Sequence, residues 1–179
     1  MLKNANQKHT TLILKAMTFI FILWAANVSY GFLHEAAHAI TVKMLGGQVY
    51  EIYVNPLGTD AYTVHSSVSG VADTLSLEVA GMAMTTLLAF ITLLSDYKPI
   101  PIFMAMRTAI YALNYSPGTD IHAIQQAIGA GAILVTALLV ALNLACAAIA
   151  MTAMIKSAKT PTVKAFSSSL GRVLHQNSS

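Results

Sequence analysis

Charge is what this sequence has least of. Only 9% of its 179 residues are Asp, Glu, Lys or Arg, where a soluble domain carries about 25%. With 56% hydrophobic residues and a mean hydropathy of +0.64, that shortfall excludes a water-soluble globule and points to a membrane protein. Cysteine is nearly absent: Cys146 stands alone, which excludes intramolecular disulfides and cysteine-rich zinc sites. Set among alanines, it reads as buried and inert. A pI near 9.0 raises nucleic acid as a partner, but the basic residues lie mostly toward the two ends and form no tract interleaved with aromatics, so nucleic acid is set aside. No internal repeat is present, and the length allows one compact unit of about 150 residues.

What the sequence does have is long apolar runs. A helix needs about 20 apolar residues to cross a hydrocarbon core of about 30 Å. Thr11 to Leu45, Thr74 to Leu94 and Ile121 to Ile155 reach that length. A shorter run, Pro99 to Tyr115, is interrupted by Arg107, whose charge calls for an interior partner such as Glu78 or Asp73, or a lipid headgroup. The expected fold is therefore mainly α: a polytopic bundle of about four transmembrane helices. Residues 1–155 form its single domain, and 156–179 a basic, serine-rich, loosely ordered tail. Between the first two runs, alternating Val49, Ile52 and Val54, an Asn55-Pro56 turn signal and Gly58 predict a small β-hairpin at the membrane surface.

Four crossings put Lys3, Lys8, Lys15, Lys98, Lys156, Lys159, Lys164 and Arg172 on one face, with Lys43 near the other. The positive-inside rule then places both termini in the cytoplasm of a multi-pass protein, and the cell membrane is the expected location. Lys8 and Lys15 flank an apolar core followed by Ala25-Ala26-Asn27, a pattern also found in cleaved signal peptides. The apolar sequence continues through Ile40, which favours an uncleaved span.

The chemistry is carried by His34-Glu35-Ala36-Ala37-His38, an H-E-x-x-H sequence at the far end of the first run. On a helix, positions i and i+4 share a face, so both imidazoles can grip one zinc ion while Glu35 serves as general base. Counted from Met17, His34 lies roughly 26 Å along the helix, near the non-cytoplasmic boundary. Three ionisable groups within five residues are costly there, and metal coordination compensates them. The competing reading is a chance motif whose histidines bond to carbonyls of neighbouring helices. Catalytic zinc usually takes three protein ligands. The oxygen and nitrogen donors placed to reach the site are Asp60, His65, Asp73, Glu78, Asp120 and His122. If the first helix ends on the outer side, so does the third, delivering Asn114 to Asp120 to the depth of His34. Asp120 is the favoured third ligand, with His122 next. Asp120 also reads as an ordinary N-cap of the last helix.

Together these features resemble the site-two protease family of intramembrane zinc metalloproteases. The resemblance covers His34 to His38, the following Gly46-Gly47, Ala80-Gly81-Met82 on the next helix, and Asn114-Tyr115-Ser116-Pro117 before Asp120. This chain has Met82 where that family has proline, Thr85 where asparagine is frequent, and Ile121 in place of a glycine. The resemblance implies a zinc metalloendopeptidase that hydrolyses a peptide bond in or next to a transmembrane segment of a membrane protein. Glu35 would act as base, and Asn114 would bind the oxyanion or the substrate backbone. An interhelical hydrogen bond is the structural alternative for Asn114. Family members generally cut toward the cytoplasm, whereas the lysines here place the site outside.

Other classes fit less well. A di-iron hydroxylase needs more histidines than the six present, two of which, His9 and His175, lie in the tails. A transporter would show a repeat or a pair of broken helices. The remaining alternative is a catalytically inactive metal-binding protein acting as a regulator or chaperone of membrane partners.

Overall fold

The structure is a computed structural model that describes the backbone of residues 2–176 and the side chains of residues 10–158. Seven elements follow in order: α1 (Leu2–Met44), β1 (Val49–Val54), β2 (Ala61–His65), α2 (Val71–Thr92), α3 (Pro99–Ala112), α4 (Asp120–Ile128) and α5 (Gly131–Gln176). Most of the expected loosely ordered tail, from residue 159 on, lies outside the described side chains.

Three helices are long and apolar enough to cross a membrane: α1 over Thr10–Met44, α2 over Val71–Thr92 and α5 over Gly131–Ala158. They fit a membrane protein, and their exposed faces carry side chains such as Leu12, Ile20, Leu87, Ile133 and Leu134 that water would not tolerate in such numbers. The fourth expected crossing does not reach that length. With 14 residues, α3 extends only about 21 Å, because Pro99 and Pro101 begin it late and the Asn114–Asp120 loop ends it early. It still carries the chain back: α2 runs away from the histidines of α1, and α3 returns to place Tyr111 beside His34, with ring centroids 5.1 Å apart. The last apolar run is likewise divided. Gly129, at φ 60°, ends α4, and α5 restarts at Gly131.

Small residues let these helices approach closely. Ala105 and Met104 of α3 pack with Cys146 and Ala147 of α5, Ala89 of α2, and Ala26 and Tyr30 of α1. A second cluster joins Met82 and Ala112 to Ile121 and Ile124 of α4 and to Ala132 and Leu139 of α5. Cys146 is buried in the first cluster, as expected. Within the bundle, Asn143 of α5 donates to Thr86 of α2 at 2.8 Å.

The strands pair antiparallel, Ile52 opposite Thr63 and Val54 opposite Ala61. The expected small hairpin is present, and it folds back along α1. Trp24 Nε1 donates to Pro56 O at 2.8 Å and Asn27 Nδ2 to Leu57 O at 2.7 Å, so the tip reaches positions seven to ten residues before His34. Gly58 permits this approach: its φ is +67°, and a Cβ there would stand 2.5 Å from Asn27 Nδ2.

Arg107 completes the attachment. Among the described residues it meets neither Glu78 nor Asp73. Its guanidinium donates to Asn27 O at 3.0 Å, to Asn27 Oδ1 and to Gly58 O at 2.8 Å, and lies 4.2 Å from the Tyr30 ring centroid. The cation is thus held by carbonyls and an aromatic face, binding α3, α1 and the hairpin tip together. Arg107→Leu leaves several of these acceptors without a donor. It should cost about 2–4 kcal/mol, measurable as a lower midpoint of thermal unfolding in detergent; an unchanged midpoint would show that the clasp is dispensable.

Candidate metal centre

His34 and His38 lie one turn apart on α1, both buried, with Glu35 buried between them in sequence. The ligand-capable atoms of His34, Glu35 and His38 all fall within 4.8 Å of one another. Asp120 comes to them from α4: its Oδ2 is 3.0 Å from His34 Nε2 and 3.3 Å from His38 Nε2. Thr119 accepts the capping hydrogen bond from His122 N at 3.4 Å, so the Asp120 carboxylate is free to face α1 instead of capping its own helix. Tyr111 supports the other oxygen, donating to Asp120 Oδ1 at 3.3 Å.

The residues present fit a tetrahedral cation. Bonds of about 2.0–2.1 Å set donor atoms about 3.3–3.4 Å apart, close to the observed separations. Protonation is compatible with this. His38 Nδ1 sits 2.8 Å from Leu77 O, and a carbonyl only accepts, so Nδ1 carries hydrogen. A neutral His38 therefore turns the Nε2 lone pair toward the Asp120 carboxylate, an arrangement that needs a proton or a metal ion between them. His34 has no such outer support: its Nδ1 is buried without a hydrogen-bond partner among the described residues.

Gly81 of α2 forms the floor of this cluster. A Cβ at that position would lie 2.5 Å from His34 Nε2 and 2.6 Å from His38 Nε2. Only a residue without a side chain lets α2 pass so near the imidazoles.

Glu35, beside the two imidazoles, is also held from the hairpin. Thr63 Oγ1, on β2, stands 2.9 Å from Glu35 Oε2 and 3.0 Å from Glu35 O. Two clefts meet at Glu35. The larger, about 260 Å³, is walled by Tyr30, His34, Asp60, Arg107 and Thr119. The smaller, about 160 Å³, is walled by His38, Tyr62, Thr63, Glu78 and Asp120. Beside the smaller cleft, the Glu51 carboxylate holds the Tyr62 phenol above its ordinary pKa.

The remaining sequence candidates are spread around this centre. Glu78 and His65 line the smaller cleft, and Asp60 the larger. His122 turns its Nε2 to Gln126 at 3.0 Å, and Asp73 lies at the start of α2. Asn114 is exposed; its Oδ1 accepts from Ser116 N at 3.1 Å and its carbonyl from Thr119 Oγ1 at 2.8 Å, which shapes the loop leading to Asp120. Sequence reasoning overlooked Thr63, Tyr111 and the contact role of Gly81. For Gly81 a signal was available, a small residue in a helix facing the motif; for the two hydroxyls none was.

Compared with known proteins, the chain matches no family model, no curated protein and no solved structure.

Proposed function

We propose that the protein is an intramembrane zinc metalloendopeptidase that hydrolyses a peptide bond in or next to a transmembrane segment of another membrane protein. The observation that carries this reading is the convergence of His34, His38 and Asp120 from two separate helices, with Glu35 beside them at the junction of two clefts. His34, His38 and Asp120 are the residues that would hold Zn2+. When bound, zinc polarises a carbonyl and lowers the pKa of water toward about 7.

The chain's own groups supply the rest. Glu35 takes a proton from the attacking water as its oxygen bonds to the scissile carbonyl carbon. The carbon–nitrogen bond then breaks, and Glu35 returns the proton to the departing amine. The Leu77 carbonyl keeps hydrogen on His38 Nδ1, and Tyr111 orients Asp120. A helical substrate hides its carbonyls in hydrogen bonds, so it must unwind before attack. The hairpin beside Glu35 offers a strand edge to hold the extended segment. Asn114 shapes the loop before Asp120, and its exposed side chain leaves it open to the oxyanion or the substrate backbone.

We place the chain in the cell membrane with both termini cytoplasmic. The distribution of lysines supports this orientation; in this reading both termini share a face because the short α3 returns the chain to the end of the metal cluster, from which α5 leaves. The test is reconstitution with a single-span membrane protein in liposomes. Cleavage should stop when a chelator strips the metal and return with added zinc. Cleavage that persists in the stripped protein would overturn the reading.

A further inference from the structure

We infer that Thr63 is a positioning residue that ties the substrate-holding hairpin to the general base. The inference rests on the peptidase reading above and concerns how Glu35 is aimed. The hairpin is fastened to α1 at two levels. At its tip, Trp24 and Asn27 of α1 and Arg107 of α3 hold the carbonyls of Pro56, Leu57 and Gly58. Midway along the ladder, Thr63 is the described contact that reaches the carboxylate of Glu35. Between them Gly31 brings the helix against Val54 and Ala61, each 3.4 Å from where its Cβ would be. A strand anchored in this way cannot slide along α1 without pulling on Thr63.

A hydroxyl has one proton to give. Glu35 O is a helix carbonyl that already accepts within α1, whereas Oε2 stands 2.9 Å from the hydroxyl with no other donor among the described residues. The proton of Thr63 therefore goes to Oε2. With Oε2 held, Oε1 is the oxygen left to exchange protons with water and amine, and its direction is fixed by the position of β2. A substrate segment paired to the hairpin edge is then in register with the base, since one rigid unit carries both. Ile52 lies opposite Thr63 in the pairing, so this link sits within the ladder, not in a mobile turn.

Two conservative variants separate positioning from packing. Thr63→Val keeps shape and strand preference but loses the hydroxyl; Thr63→Ser keeps the hydroxyl and loses the methyl. Against a single-span substrate, Thr63→Val should lower kcat about 10- to 100-fold with KM changed by less than about 2-fold, and Thr63→Ser should stay within about 3-fold of wild type in both. A second readout does not depend on turnover. In zinc-loaded protein carrying 13C-carboxylate glutamate, the infrared carboxylate stretch of Glu35, identified by its disappearance in Glu35→Gln, should move in Thr63→Val and not in Thr63→Ser. An unmoved band in Thr63→Val overturns the proposal. So does a Thr63→Ser variant as impaired as Thr63→Val, or a Thr63→Val defect confined to KM. If the wild-type chain cleaves nothing while the band shifts as described, the peptidase reading falls and the bond from Thr63 to Glu35 stands.

Discussion

Replacing Glu35 by glutamine should reduce hydrolysis by at least about 10³-fold while leaving one zinc per chain in place. The size follows from the role. A positioned general base typically contributes 10²- to 10⁴-fold, and in the proposed reaction the same carboxylate also returns the proton to the leaving amine. The amide of glutamine matches the carboxylate in shape and still accepts a hydrogen bond from Thr63, but it takes no proton at neutral pH. Metal binding should survive because the donors that approach one another most closely are His34, His38 and Asp120, with Glu35 engaged by Thr63. Metal content by atomic emission and cleavage of a reconstituted substrate, measured on the same preparation, check both halves. Loss of zinc together with activity would make Glu35 a ligand. Full activity would remove it from the chemistry and favour the non-enzymatic alternative, a metal-binding partner of other membrane proteins.

Gly81→Ala is the other large effect. The added methyl would lie 2.5 Å from His34 Nε2 and 2.6 Å from His38 Nε2, well inside van der Waals contact. Neither neighbour can yield cheaply: the imidazoles are held by Leu77 and Asp120, and α2 is packed through Met82, which is fully buried. Either α2 shifts away or both rings rotate off the shared point. Zinc affinity should fall about 100-fold or more, at the upper end of what disturbing a metal's outer shell costs. Leu87→Ala, on the exposed face of the same helix, should leave zinc content as it is. Competition with a chromogenic chelator measures both variants. Wild-type affinity in Gly81→Ala would mean that the imidazoles do not meet where α2 passes.

The parts of this arrangement that were legible in the sequence are those written in local patterns. Apolar runs gave the three long helices, since length and hydropathy are properties of a segment alone. The i, i+4 spacing put His34 and His38 on one face. Asn55-Pro56 with Gly58 marked the hairpin turn. What the sequence did not disclose depends on which segments meet. The hairpin's course down α1 follows from Asn27 and Trp24 reaching backbone carbonyls of the tip, and neither residue announces that partner. Arg107 finds carbonyls and the Tyr30 ring rather than a carboxylate, an outcome that helix count and charge pairing do not anticipate. The break between α4 and α5 was hidden because Gly129 and Gly131 also read as packing residues of one continuous helix. Asp120 was open to two readings, cap or inward-facing carboxylate, and a neighbour decided it: Thr119 accepts the capping bond.

In the proposed centre His34, His38 and Asp120 together hold a divalent ion. X-ray absorption at the zinc edge of the purified, folded protein tests it most directly. The account predicts one zinc per chain with a nitrogen- and oxygen-only shell at about 2.0–2.1 Å, two imidazoles among the scatterers, and loss of the zinc in His34→Ala. Folded protein that takes up no stoichiometric metal, or a shell in which sulfur appears, would contradict it.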